Sequence, residues 1–186
     1  MRTIVTFVFA LLAITTPASA EQISSVYTSL DLNKCTLTDS RPNEGSWAAW
    51  DCKGHKGMRV RVARSDERYY VSYGTLAEKL TAADQTLAPF NNIYSTLEWR
   101  VERKGAEWVP FATILRYAWD DSDGRRGEIL VVTKLGATDA CQMEYIVANG
   151  NPNANKQARQ IADTRARAFN CNKETQTMRF RPPGTN

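Results

Sequence analysis

Histidine is nearly absent from this sequence: His55 is the only one in 186 residues. A multi-histidine metal centre is therefore excluded, and any Ser/His/Asp system must run through this one side chain. His55 sits in Lys53-Gly54-His55-Lys56-Gly57 and reads as an exposed turn residue. No Gly-x-Ser-x-Gly elbow occurs, so nucleophilic hydrolysis has no local motif. No Asn-x-Ser/Thr acceptor occurs either, so nothing points to a glycosylated product. No apolar run reaches the roughly 20 residues of a membrane-spanning helix. Internal repeats and low-complexity linkers are lacking. Excess charge of one sign is small: 24 Lys and Arg against 20 Asp and Glu leave a formal +4, too mild to imply nucleic acid. With 42% hydrophobic and 24% charged residues, the chain is neither disordered, collagen-like nor a multi-span membrane protein.

What is present begins at the N-terminus. Arg2, the apolar run Ile4–Ile14 and Pro17-Ala18-Ser19-Ala20 are the three parts of a secretory signal peptide. Residues 1–20 are expected to be removed after Ala20, leaving 21–186 as one disulfide-stabilised, β-rich domain. Loss of Arg2 changes 24 basic residues to 23 against 20 acidic ones, a net +3. No cysteine lies near the cut for lipid attachment. A bacterial periplasm or the cell exterior is the expected compartment. The 4 cysteines all lie beyond the leader and read as two disulfides. Of the three connectivities, Cys35–Cys52 with Cys141–Cys171 is preferred, because each closes a local loop; such a bridge is typically worth about 2–4 kcal/mol. Structural zinc needs closely spaced ligand pairs, and Cys52-Lys53-Gly54-His55 has no second pair to match it.

From Trp47 onward the chain reads as strands. Trp47–Cys52 is short and aromatic. Met58, Val60 and Val62 alternate with Arg59 and Arg61, and Tyr69–Tyr73 follows after a polar turn, so the two runs predict a hairpin. Thr75-Leu76-Ala77-Glu78 matches a capping box, which predicts a short helix to about Asp84. The rest of Thr75–Ser95 is loop, the place expected for a binding loop. Leu97, Trp99 and Val101 alternate with Glu98, Arg100 and Glu102, a strand with one solvated face. Val109–Trp119 is apolar on both parities and therefore central, with Phe111, Leu115, Tyr117 and Trp119 on one face and Ala112, Ile114 and Ala118 on the other. Asp120–Gly127 is a polar turn. Glu128–Leu135 and Cys141–Ala148 complete a meander. Asn151 and Pro152 open the one strong helix. Its stripe is Ala154, Ala158, Ile161, Ala162, Arg165 and Phe169, with Lys156, Arg159, Asp163 and Arg167 on the opposite side. Gln176–Arg181 suits an edge strand, and a loose tail is expected from about residue 182. The fold class is α+β: a single antiparallel β-sheet of about six to eight strands with the C-terminal α-helix packed on it. The alternative is a β-sandwich with a peripheral helix.

The candidate chemistry is thin. Asp120-Asp121-Ser122-Asp123-Gly124 hints at a calcium loop, but aligning Gly124 with the EF-hand glycine puts Trp119 and Leu130 at key ligand positions. An acidic turn is the simpler account. Glu98, Glu102, Asp120 and Asp121 could pair as glycosidase carboxylates only at specific separations in space. Arg100 between Glu98 and Glu102 suggests a charge-balanced, solvated face instead. No catalytic residue, metal or cofactor is expected. The densest recognition chemistry lies on one hairpin. Arg59, Arg61, Arg64 and Arg68 stand beside Tyr69, Tyr70 and Tyr73, and guanidinium groups both stack on rings and fork onto carboxylates. Of these, Arg59, Arg61, Arg68, Tyr70 and Tyr73 are the expected ligand-binding residues, and an anionic envelope component or acidic protein is the expected partner.

Tyr27-Thr28-Ser29-Leu30-Asp31 leading to Cys35 is one segment of a wider resemblance. Tyr70-Val71-Ser72-Tyr73-Gly74 is another, and Thr96-Leu97-Glu98-Trp99-Arg100 with Pro110-Phe111-Ala112-Thr113-Ile114-Leu115-Arg116 is the third. Through them the chain resembles a group of uncharacterised exported proteins of alphaproteobacteria, over most of its length beyond the leader. That resemblance implies compartment and architecture, and no functional residue. Two function classes follow: a non-enzymatic envelope protein that binds or inhibits, and a small secreted hydrolase acting on an envelope polymer. By class alone the former is similar to periplasmic lysozyme inhibitors. A pocket holding perturbed carboxylates would favour the enzyme; a flat or loop-centred surface would favour the binder.

Overall fold

A computed structural model describes residues 22–179. The leader at 1–20 and the tail from about residue 182 lie outside the described residues. In chain order the strands are β1 (Ile23–Ser29), β2 (Thr36–Arg41), β3 (Trp47–Lys53), β4 (Arg59–Ser65) and β5 (Arg68–Tyr73). Then follow β6 (Phe90–Lys104), β7 (Glu107–Asp120), β8 (Arg126–Lys134), β9 (Cys141–Val147), the helix α1 (Ala154–Arg165) and β10 (Thr177–Arg179).

The α+β class holds, with the C-terminal helix on a sheet, but the strands divide over two sheets. One has six strands in the order β1-β6-β7-β8-β9-β10, the other four in the order β2-β3-β4-β5. The division follows from β1, which pairs with β6 in full antiparallel register, Ile23 to Glu102 through Ser29 to Thr96. The chain between them cannot enter that sheet edge, so β2–β5 form their own meander and lie across its face. All ladders are antiparallel except β9–β10, which is parallel at the sheet edge.

Alternation decides what fills the sandwich. Val60, Val62, Val71 and Tyr73 from the small sheet meet Leu97, Trp99, Val101, Leu115 and Tyr117 from the large one. Trp99 is fully buried, with Tyr73 edge-on at 5.8 Å. Its indole N–H donates to Thr28 Oγ1 at 2.8 Å. A Cβ on Gly54 would stand 2.4 Å from the Trp99 ring, so only glycine fits there. The opposite face of the large sheet packs on α1 through Ile114, Leu130, Val132 and Ile146 against Ala154, Ala158, Ile161 and Ala162. Small helix residues allow that close approach.

Both disulfides form: Cys35–Cys52 closes 17 residues and Cys141–Cys171 closes 30. The second ties the chain beyond α1 to the start of β9.

Two local expectations change. Thr75–Asp84 is not an α-helix but two short 3-10 turns, Ala77–Lys79 and Thr81–Asp84. Glu78 forms an ion pair with Arg59 at 2.7 Å, so its carboxylate is committed across the sheet. Ala77, Leu80, Ala82 and Leu87 are all buried, so much of this connection closes the core. Phe111 leaves its expected face. The β6–β7 register steps from Arg100↔Ala112 to Val101↔Pro110, and this bulge swings Phe111 to the helix side. There it lies 4.5 Å beneath the Arg167 guanidinium.

Candidate functional site

Glu98, Arg100 and Glu102 were expected to face solvent. All three are buried, with Glu102 at 1% exposure, because α1 lies over them. Arg159 Nε donates to Glu98 at 2.7 Å. Arg100 forks onto Asp163 at 2.8 and 2.7 Å. Arg167 lies 3.4 Å from Glu102. The spacing has a simple cause. Four helical residues rise about 6 Å and two strand residues about 6.8 Å, so positions 159, 163 and 167 track 98, 100 and 102 rung by rung. The signs alternate oppositely on the two elements. The helix face read as solvated is therefore an ionic seam, and this match of sign and period was the overlooked signal.

The seam opens into a cleft at its Glu98–Arg159 end. Here β6 carries a second irregularity. Its register with β7 jumps from Ile93↔Tyr117 to Leu97↔Leu115, so Tyr94, Ser95 and Thr96 face Arg116 alone. Bulges bend a strand and re-aim its side chains. Tyr94 accordingly reaches across to donate its hydroxyl to Glu128. The resulting cleft has a volume of about 470 Å³. Ile114 and Leu130, both buried, line its floor. Tyr27 on β1 and Tyr94 on β6 line its sides, 53% and 42% exposed.

Polar groups converge in two sets. Arg159 binds Glu98 and also donates to the Tyr27 hydroxyl at 3.1 Å. Arg116 donates to Glu128 at 2.6 Å and reaches Asn155 at 3.4 Å. The Tyr94 hydroxyl, and after it the Arg116 guanidinium, hold the Glu128 carboxyl below its ordinary value against the opposing effect of burial. The Glu98 hydrogen bond likewise raises Arg159. Two carboxylates and two guanidinium groups leave the cleft with no net formal charge.

The Glu128 shift carries a pH prediction. A depressed folded-state pKa contributes stability above the unfolded carboxyl range, near 4.3, and that contribution is lost as pH falls through the folded value. Tyr94→Phe removes the leading cause. The Glu128 titration should then move up towards the ordinary range in a carbon-detected NMR titration, and an unmoved midpoint would dismiss the tyrosine as its cause.

The residues expected to bind ligand do not form one surface. Register places Arg61 opposite Ser72, Tyr70 opposite Ala63 and Arg68 opposite Ser65, so Arg59, Arg61, Arg68 and Tyr70 share the outer face of the small sheet. Tyr73 has the other parity. It is 3% exposed within the core, beyond reach of any surface ligand, and burial pushes its hydroxyl well above the ordinary value. Arg59 is held by Asp51 at 2.8 Å and by Glu78. Arg68 donates to the carbonyls of Ala88 and Asp66 and lies 5.3 Å over Phe90. Arg59 and Arg68 are therefore engaged by partners within the chain. Arg59 also lines a second cleft of about 450 Å³ with Asp31, Lys34 and the Cys35–Cys52 bridge. Among the described residues its lining includes no aromatic side chain.

His55 is half-buried rather than exposed, 6.3 Å from the Trp99 ring. Burial, and then Lys56, lower its pKa and favour the neutral ring. Asp121 organises the acidic turn, accepting from the Asp123 and Arg125 amides at 3.0 Å each.

No protein-family model matches the chain, and no curated protein or solved structure matches it.

Proposed function

We propose that this chain is an exported, non-enzymatic binding protein of the bacterial envelope, working in the periplasm or outside the cell, with the Tyr27–Tyr94 cleft as its site. The observation that carries this reading is the cleft itself: two open tyrosine rings over a buried apolar floor, with convergent polar groups. Small-molecule sites have this composition and typically measure about 300–1,000 Å³. The two disulfides fit an oxidising compartment.

A hydrolase is the second reading, favoured by the presence of Glu98 and Glu128 in one cleft. Acid catalysis, however, needs a carboxyl whose pKa is raised, and Glu128 is shifted the other way.

Retention of the purified chain on isolated envelope material separates the readings. Tyr27→Ala with Tyr94→Ala should weaken retention about tenfold, the scale of two lost aromatic contacts. Arg59→Ala with Arg61→Ala should leave it unchanged. The opposite pattern would move the site to the hairpin. Release of soluble fragments from that material, abolished by Glu128→Gln, would make the protein a hydrolase.

A further inference from the structure

Granting that the cleft is the binding site, we infer that it takes a neutral saccharide, a short segment of an uncharged glycan. Charge argues first. Arg116 and Arg159 are each closed onto a carboxylate at 2.6–2.7 Å. An anion entering the cleft meets Glu98 and Glu128, and a cation meets the two guanidinium groups. Either pays for the like charge, whereas a neutral ligand does not.

Hydrogen bonding argues next. The cleft offers acceptors on Glu98 and Glu128 beside donors on Arg116, Arg159 and Asn155. A ligand matching both at once must donate and accept from the same small group, as a hydroxyl does. Several hydroxyls on one rigid frame lose little entropy on binding. Shape completes the case. The C–H face of a pyranose ring is apolar, and it suits an aromatic ring that is already open to water. Tyr27 and Tyr94 are among the few large aromatic side chains of the described residues that remain so exposed. A purely apolar ligand is disfavoured, because it would strip water from the Arg–Glu groups and return no hydrogen bonds.

The test is calorimetric and NMR titration of the full chain. Maltotriose, cellotriose and tri-N-acetylchitotriose serve as neutral probes, with trigalacturonate and inorganic phosphate as anionic ones. At least one neutral trisaccharide should bind and shift the Tyr27 and Tyr94 ring signals. Tyr94→Ala should weaken that binding about threefold, half the free energy of the two contacts together. Asn155→Trp, an exposed rim substitution that removes no core contact, should block it while leaving the melting temperature unchanged. Affinity should be constant between about 0.05 and 0.5 M salt, since no net charge is neutralised. Binding of trigalacturonate or phosphate at these rings, weakened by salt, overturns the inference. So does the failure of every neutral trisaccharide to shift them. If envelope retention still depends on Tyr27 and Tyr94 in that case, the binding reading stands and only the ligand class falls. If retention ignores both tyrosines, the binding reading falls with it.

Discussion

Arg100→Met should destabilise the protein by about 3 kcal/mol, the low end of the cost of breaking a buried ion pair. Arg100 is 8% exposed at its side chain and forks onto Asp163, which keeps 26%. It also bonds Ser25 Oγ and lies 3.8 Å from Glu98. Removing the cation takes away Asp163's ion-pair partner and the guanidinium beside Glu98, which keeps Arg159. Asp163 retains some water, which holds the cost to the lower end. Arg100→Met with Asp163→Leu should recover most of the loss, because replacing a whole buried pair by apolar groups is often neutral. Urea midpoints of the parent, both single variants and the double close the cycle. A loss below about 1 kcal/mol in Arg100→Met would mean that this rung behaves as a surface pair.

Cys171→Ser should cost about 2–5 kcal/mol, the usual range for a native bridge in a small secreted domain. Cys141 is buried at the start of β9, while Cys171 lies beyond α1. Losing the bridge leaves the helix's C-terminal side held by the Arg165–Glu144 and Arg167–Glu102 pairs and by buried Phe169. Paired serine substitutions at 35 and 52 should cost about 0.5 kcal/mol less than those at 141 and 171, from loops of 17 and 30 residues in the chain-entropy account. Denaturant unfolding with and without reductant measures both. If the shorter loop proves the more costly, native packing around Cys35 outweighs loop entropy.

Several features were legible from the sequence because one local rule governs each. The β4–β5 hairpin follows from alternation. The helix follows from small apolar residues at helical spacing, but it starts at Ala154 with Asn153 at the cap, two residues later than expected, and Asn151 Oδ1 accepts from the Asn153 amide in the turn before it. Local loop closure gives both disulfides. β1 and β2 were not anticipated. β2 is an exposed edge without periodicity, and β1 places Ser25 and Tyr27 where a buried strand would carry apolar residues. The cleft escaped for a stronger reason. Its parts are brought together by a bulge at Tyr94–Thr96 and by a helix crossing four strands, and neither is written in any short window. Alternation identified Glu98, Arg100 and Glu102 as one face correctly; it is silent on what covers a face. The same limit applies to the hairpin. Tyr70 and Tyr73 differ in parity by three positions, and strict alternation separates them across the sheet.

The pairing of β1 with β6 sets an order on assembly. Ser25 and Arg100 meet across 75 positions of chain, and Tyr27 meets Arg159 across 132. Synthesis at about 5–20 residues per second leaves β1 without its partner for roughly 4–15 s. The β2–β5 meander needs no distant segment and can close in that interval. Of the described strands β1 is thus made before the β2–β5 meander and docked after it, a free edge that invites mispairing until Phe90–Lys104 arrives. The cleft waits longer still, since α1 supplies Asn155 and Arg159 after every other wall exists. The complete cleft is therefore a property of a chain that includes α1. An amino-terminal fragment ending at β9 keeps Tyr27 and Tyr94 but lacks Asn155 and Arg159, and with them one wall of the cleft.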